Sequence, residues 1–428
     1  MSETMTQNSK ESGAKRETVA VIGAGIVGVS TAVWLQRDGF DVVLIDKLGP
    51  AEGTSHGNGG VLASCAVVPV TVPGLMFKAP GMLLDPLSPL FLKWGYMPKL
   101  TPWLLRYMMN ATEKANRRVG AALTQLLGDS VEQHLALAAG TPAEKYVVPS
   151  DYVFVYADRA AYESDAYVWK LRKEFGFTWE LLDRDAFRVY DPAFGDGYDF
   201  AVRMPDHGHI TDPGMHVKAL ADHVVANGGR LVIAEARDVA YEGGKVVGVD
   251  TNEGLIAADK VVMATGVWSK PLCKKLGLDV PLETERGYHI ELVEPSVMPR
   301  SPMMVTTGKF VATPMEGRLR CAGIVEFGGL DAEPSEAAFK LLLHRIHEAL
   351  PGIEYKEVVR WMGHRPAPSD SIPLIGEVPG KPGVYLGFGH HHIGLTGGPK
   401  TGRMLADMIS GRRSNADLTL YDPARFAA

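Results

Sequence analysis

Three glycines in the run VAVIGAGIVG, Gly23, Gly25 and Gly28, stand in G-x-G-x-x-G spacing, and the next apolar run closes on an acid, Asp46. That spacing does its chemistry by geometry. The first glycine permits a tight turn, the second lets the backbone approach a pyrophosphate, and the third packs a helix against a strand; the helix N-terminus offers N–H groups and partial positive charge. Asp46 then stands where ribose hydroxyls would donate to it, with Lys47 beside it. These residues predict an adenine dinucleotide site. A second glycine-rich stretch, GPAEGTSHGNGG over 49–60, would bring the backbone at Ser55, Asn58 and Gly59 close to a planar ligand, with His56 in reach of its edge or of a substrate. A flexible turn is the other reading.

Three consecutive histidines, His390 to His392 in FGHHHIGLTGGP, suggest a metal clamp at first sight. On an extended segment adjacent side chains alternate, so only His390 and His392 would share a face. No carboxylate or cysteine flanks them at ligand spacing, and no metal is predicted.

The elements that must position these groups follow from periodicity and end signals. A strand from Val19 to Ile22, a helix from about Ile26 to Arg37 stopped by Gly39, and a strand from Val42 to Ile45 give the order β, α, β. Helical spacing recurs over 111–140 and 161–176, YVFVY reads as a strand, and a helix is expected from Asp212 and Pro213 to Ala226. After it come the strand Leu231 to Ala234, a series of short strands, and the buried run Val261 to Ala264 ending at Gly266, a small-residue turn where open α/β sheets bind ligands. Residues 280–330 alternate as an antiparallel sheet does, and EAAFKLLLHRIHEAL is amphipathic. TGGPKTGRMLADMISG reads as a helix with Pro399 in its first turn and Gly411 past its end; Gly394, Gly397 and Gly398 permit close backbone approach.

Composition narrows the class. The chain has 428 residues, 46% of them apolar, and a net charge of −6. Its basic residues form no stripe, which excludes nucleic acid as the expected partner. Cys65, Cys273 and Cys321 are odd in number and lack metal or disulfide spacing, which fits a reducing compartment, the cytoplasm. Residues 1–17 read as a polar disordered leader, and no apolar run reaches the roughly eighteen residues of a membrane span. Residues 72–109, rich in Leu, Met, Trp and Pro, are expected to rest on a membrane surface, the inner face of the cytoplasmic membrane, or to form a lid.

Three stretches carry a resemblance: VAVIGAGIVGVSTAVWLQRDGFDVVLIDK, KVVMATGVWS, and WMGHRPAPSDSIPLIGEVPGKPGVYLGFGHHHIGLTGGPKTGRMLADMISG. In order and spacing, from Thr18 onward, they resemble the D-amino-acid oxidase and dehydrogenase superfamily of FAD flavoproteins. The long loop over 72–109 and RGYHIEL look most like bacterial D-amino-acid dehydrogenases, and GHHHIGLT is similar to relatives acting on D-proline-type imino acids. The resemblance implies an α/β fold, with a discontinuous Rossmann-like FAD domain over 18–70, 200–275 and 360–428. Into it is inserted an α+β substrate domain, 71–199 and 276–359, built on an antiparallel sheet. It adds Val239, Gly266, Gly389, Gly394, Leu395 and Thr396 to the FAD-binding set. It also implies non-covalent FAD, because relatives that tether flavin use a cysteine near RPAPSD, where this chain has Gly363 and His364.

The implied reaction oxidises an amine beside a carboxylate: hydride leaves the α-carbon for flavin N5, and the imino acid hydrolyses or, from a cyclic substrate, remains. Arg365 matches the arginine that grips the carboxylate, a task that suits a guanidinium fork. Arg286 and Tyr288 share a strand face and would line the substrate cavity, a solvated surface strand being the alternative. His390 matches a glycine-histidine step beside the flavin, His392 recurs in imino-acid relatives, and His391 has no counterpart. Partial positive charge at the start of the last helix would stabilise reduced flavin. The implied partners are an amino or imino acid and a quinone or other carrier. Oxygen as acceptor, a glycine- or sarcosine-type N-substituted amino acid, a 2-hydroxy acid, or a flavin subunit without turnover are the rival readings.

Overall fold

A computed structural model of the chain describes residues 16–75, 81, 87–194 and 196–427. The expected leader therefore falls outside the described residues except for Arg16 and Glu17, as do 76–80 and 82–86 of the segment expected to meet a membrane or form a lid.

Six strands form one sheet in the order Leu374–Glu377, Val384–Phe388, Lys260–Met263, Thr18–Ile22, Asp41–Asp46, Arg230–Ile233. All neighbours are parallel except the first pair. Alternation explains the layers. Val19, Val21, Val42, Leu44 and Val262 join one core with the helices Ile26–Arg37, Glu113–Leu127 and Gly394–Ile409. Ala20, Ile22, Val43, Ile45 and Val261 point the other way, into a core closed by the antiparallel strands Ala236–Glu242, Lys245–Thr251 and Gly254–Ala257. Both faces are covered, which is why these strands read as continuous apolar runs.

The second sheet has ten strands. Eight lie in the order Glu357–Pro368, Leu282–Val293, Arg318–Phe327, Phe310–Met315, Met303–Val305, Val147–Tyr156, Phe200–Ile210, Val61–Leu62, with Leu90–Leu92 and Glu180–Asp183 beside this path. Most pairs are antiparallel, as alternation over 280–330 predicts; Met303–Val305 runs parallel to Val147–Tyr156. By sheet membership, Val61–Leu62, Phe200–Ile210 and Glu357–Pro368 belong here rather than with the six-stranded sheet, although each overlaps a range expected for the FAD domain.

Three helical readings change in detail. The stretch 111–140 breaks into Glu113–Leu127 and Ser130–Ala138 at Gly128 and Asp129, and 161–176 breaks into Arg159–Ser164 and Ala166–Glu174. The last helix begins at Gly394, so Pro399 lies within it. The histidines before it are not extended: His391–Ile393 form a single 3-10 turn, with His391 at φ 47°.

Candidate active site

Five parallel strands of the six-stranded sheet release their carboxyl ends into one cleft of about 630 Å³. Its floor is the residues that follow each strand in turn: Ala234 to Arg237, Asp46 to Gly49, Gly23 to Ile26, Ala264 to Gly266, and Gly387 to His391. Four strand spacings of roughly 4.8 Å give a length of about 19 Å, enough for an extended dinucleotide. Gly23 sits at φ 102°, and a Cβ there would lie 2.4 Å from the Ala264 carbonyl oxygen, so only glycine closes this turn. Two helices, Ile26–Arg37 and Gly394–Ile409, begin in the cleft and turn their N–H groups and partial positive charge into it. These features fit the dinucleotide and planar ring of FAD.

Of the expected cofactor residues, Gly23, Gly25, Asp46, Lys47, Ser55, Asn58, Gly266, Gly389, Gly394 and Leu395 line this cleft. Asp46 also ties the loops together: its carboxylate accepts from the N–H groups of Ala24 at 2.8 Å, Leu48 at 2.9 Å and Gly49 at 3.0 Å. Gly28 lies beneath the turn, where a Cβ would meet the Gly23 carbonyl at 1.8 Å. Val239 does not line the cleft. Its strand turns that side chain into the core, and Ala234 to Arg237 form the wall instead.

A second cavity of about 240 Å³ adjoins the first, and Thr54, Asn58 and His391 line both. Gly59 and Thr396, expected at the cofactor, line this smaller space, as do Arg365 and His392. The Arg365 guanidinium rests against Gly287, where a Cβ would come within 2.4 Å of Cζ. It has no hydrogen-bond or ion-pair partner among the described residues. Burial lowers its pKa and the nearby Glu285 carboxylate opposes that shift, which leaves an arginine still charged at neutral pH. His392 is exposed toward the cavity, and its pKa is lowered by desolvation and then by His391.

The strand Leu282–Val293 reaches the small cavity at Gly287 and Tyr288, whereas Arg286 does not line it. Glu285, Gly287 and His289 turn toward the cavity wall: His391 Nδ1 lies 3.4 Å from Glu285, and His289 Nδ1 donates to the Gly57 carbonyl at 2.9 Å. Arg286 points away, fully buried, with Nη1 2.7 Å from Glu326 and Nη2 donating to the Ala332 carbonyl. The Tyr288 hydroxyl donates to the same Glu326, although the residue borders the cavity. Arg286 and this hydroxyl belong to a buried ion-pair network.

His56 and His390 also depart from expectation. His56 lines neither cavity; it lies against Gly214 and Trp361, and its carbonyl accepts from Arg320 at 3.0 Å. His390 borders the larger cleft only, where Nε2 meets the Thr401 hydroxyl at 2.9 Å and burial pushes its pKa down to about 3.

Several residues go unmarked in the sequence because long-range contacts give them their place. Arg320, almost wholly buried and paired with Glu291 at 2.5 Å, also donates to the Asn58 carbonyl at 2.6 Å and pins the glycine-rich loop. Trp361 forms a wall of the small cavity, crossing Gly57 and Gly363 and stacking on His289 with ring centroids 5.1 Å apart. The helix Met97–Met109 covers the site from outside: Trp103 donates to the Ala367 carbonyl at 2.9 Å, and Tyr107 stacks toward His391. No helix among the described residues is long and apolar enough to cross a membrane.

Comparison with known proteins agrees with this geometry. A family model described as DAO, FAD dependent oxidoreductase, matches residues 18–408. A protein named D-amino-acid oxidase from Bradyrhizobium diazoefficiens is 37% identical over 415 residues, covering 95% of this chain and 98% of its own. A D-amino acid dehydrogenase from Rhizobium rhizogenes is 29% identical, covering 95% of this chain and 99% of its own. Among solved structures, the glycine oxidase of Geobacillus kaustophilus shares the fold with a TM-score of 0.73 at 21% identity, over 96% of this chain and 99% of that one.

Proposed function

The chain belongs to the DAO family of FAD-dependent oxidoreductases, and from that premise we propose that it oxidises a D-amino acid, or a cyclic imino acid, at the α-carbon. The observation that carries this reading is Arg365: a guanidinium without a partner among the described residues, in a small cavity that shares Thr54, Asn58 and His391 with the dinucleotide cleft. A bidentate grip on the α-carboxylate would orient the α-carbon toward that shared wall. When bound, FAD supplies the two-electron acceptor for the hydride that leaves the α-carbon. His392, neutral near pH 7, can accept a hydrogen bond from the substrate amine. Trp361 and the helix Met97–Met109 exclude bulk water from the reacting centre. The resulting imino acid hydrolyses to a keto acid, or is retained if cyclic.

FAD would be held without a covalent link: none of Cys65, Cys273 and Cys321 lines its cleft. Gly23, Gly25 and the start of Ile26–Arg37 face its pyrophosphate, Asp46 and Lys47 its ribose, and Gly266, Gly389, Gly394 and Leu395 its ring. The FAD domain comprises 18–70, about 211–275 and about 369–428, and the remainder carries the substrate. The three free thiols support a cytoplasmic setting. Exposed Trp94, Leu105 and Met109 on the outer side of the covering segment support contact with the inner membrane face.

Electrons then pass to a quinone or carrier. Oxygen is the second reading, favoured by the name D-amino-acid oxidase on the 37% identical relative. The test is anaerobic mixing of the holoenzyme with D- and L-amino acids, followed by reoxidation with oxygen or a soluble quinone. Bleaching of the flavin by D-isomers is expected. Bleaching by none, or by L-isomers alone, would overturn the proposal, and the relative reoxidation rates choose between acceptors.

A further inference from the structure

We infer that the small cavity is built for a D-amino acid carrying a second carboxylate, received by Arg172 and Tyr152; the inference rests on the amino-acid reading above. Arg172, on the helix Ala166–Glu174, lines the same cavity as Arg365 and is only 8% exposed. Its guanidinium lies against two rings, 4.5 Å from the centroid of Phe154 and 4.5 Å from that of Trp169. Nε donates to the Cys65 carbonyl at 3.3 Å. No carboxylate lies within ion-pair reach of it among the described residues, and its two terminal nitrogens have no partner there. They are not among the fully buried polar atoms that lack a hydrogen bond, so they retain surface, and Arg172 is one of the residues that line the cavity.

A second donor stands beside it. Tyr152 is 4% exposed and borders the cavity, and its hydroxyl likewise has no partner among the described residues and retains surface. Its ring lies 4.8 Å from that of Phe154, on which Arg172 rests. A buried cation without a counterion is costly, and two unsatisfied donors on residues that line one cavity point to an anionic group brought by the ligand. The apolar walls between, Val311, Met304 and Ala322, suit methylene groups.

Spacing sets the length. Arg365 rests over Leu282–Val293 and Arg172 over Val147–Tyr156, four places apart in the sheet order, roughly 19 Å along its curved surface at about 4.8 Å per strand. Both placements are those of the guanidinium groups, so after a contact of about 2.8 Å at each end the gap asks for a side chain longer than that of aspartate. The class is therefore a dicarboxylic D-amino acid of glutamate length or more.

The experiment measures kcat/KM of the holoenzyme for D-aspartate, D-glutamate and D-2-aminoadipate against D-glutamine and D-norvaline. D-glutamate and D-2-aminoadipate should exceed D-glutamine by about 30-fold, the worth of one charge-assisted contact of about 2 kcal/mol, and D-aspartate should fall below both. Arg172→Met should bring the glutamate-to-glutamine ratio to near unity, and Arg172→Lys should keep part of it. Should Arg172→Met not fold, Tyr152→Phe should still lower the ratio. Equal use of D-glutamate and D-glutamine by the wild type, or an unchanged ratio in Arg172→Met or in Tyr152→Phe, overturns the inference. Turnover of neutral D-amino acids without acidic preference refutes the second carboxylate alone, whereas absence of flavin bleaching with any D-amino acid refutes the underlying reading.

Discussion

His391 Nδ1 lies 3.4 Å from Glu285 Oε2 with both side chains buried, and His391 stands on the wall common to the two cavities. Burial opposes charge on each. The Glu285 carboxylate nevertheless outweighs it and raises the pKa of His391, whose ring also meets the Pro368 carbonyl at 3.1 Å. His391 in turn outweighs burial and lowers the pKa of Glu285. The φ of 47° at His391 is the backbone cost of turning this ring into the pair.

The pair makes a prediction with a definite sign. A raised histidine pKa contributes stability that is full below the unfolded value of about 6.5 and is lost as pH rises through the folded one; a lowered glutamate pKa contributes above about 4.3 and is lost as pH falls. The gap in denaturation midpoint between wild type and Glu285→Gln should thus be widest between about pH 4.3 and 6.5. It should narrow above that range. Because His391 can shed its proton when Glu285 is gone, the loss should stay below the ~3–5 kcal/mol of a broken buried pair. A gap that grows steadily toward pH 9 would contradict a charged His391.

Arg365 should be the main determinant of substrate affinity. Arg365→Leu removes a charge-assisted, bidentate contact worth about 2–3 kcal/mol, so kcat/KM should fall roughly 30- to 150-fold while flavin content stays at the wild-type level. Arg365→Lys keeps the charge but not the fork and should recover only part. Steady-state kinetics beside the flavin absorbance of the purified variants measures both. An unchanged KM in Arg365→Leu would remove this residue from the carboxylate site.

The same residues show how far sequence reasoning carries. The glycine fingerprint and Asp46 are legible because their geometry is local: turn, helix start and strand end lie within about thirty residues, and all meet in the cleft. The strand RGYHIEL is harder. Alternation correctly separates Arg286 and Tyr288 from Glu285, Gly287 and His289, but nearly the whole strand is buried on both faces. Burial pattern then cannot tell a face that meets a cavity from one that meets the helix Glu336–Ala349. The histidine run misleads because an extended backbone is assumed where the chain turns at a positive φ, and that turn brings the unmatched His391 to the junction. Arg172, Arg320 and Trp361 owe their positions to partners far away in sequence, and no local pattern marks them.

Trp361 depends on two glycines that flank its ring. A Cβ at Gly363 would lie 1.9 Å from Cη2, and one at Gly57 would lie 2.1 Å from Cε3. Gly363→Ala and Gly57→Ala should each displace the ring, with a stability loss of about 1–3 kcal/mol as in other overpacked sites. Because Trp361 walls the small cavity proposed for the substrate and not the larger cleft, kcat/KM should fall at unchanged flavin content. Crystal structures or substrate-protected tryptophan fluorescence would show the movement; variants with wild-type kinetics would mean that the ring position is immaterial.

His390 and His392, two residues apart, should respond to alanine in opposite ways. His390 is buried against Thr401, under the start of the last helix, and borders only the FAD cleft. Its removal leaves that hydroxyl with the Gly397 carbonyl at 2.9 Å as its remaining partner and loosens the helix start, so His390→Ala should release FAD more readily, by about 1 kcal/mol, with near-normal turnover per bound flavin. His392 borders only the small cavity proposed for the substrate, and His392→Ala should lower turnover while FAD is retained. The pH response separates them further. With its pKa pushed down to about 3, His390 is neutral when folded but takes up a proton when unfolded below about pH 6.5, so it costs the wild type stability as pH falls from there toward 3. His390→Ala removes that cost, and its stability deficit relative to wild type should shrink between pH 6 and 4. A deficit that instead widens in acid would mean that His390 is charged in the folded protein, and its contact with Thr401 would then have to be redrawn with both ring nitrogens donating.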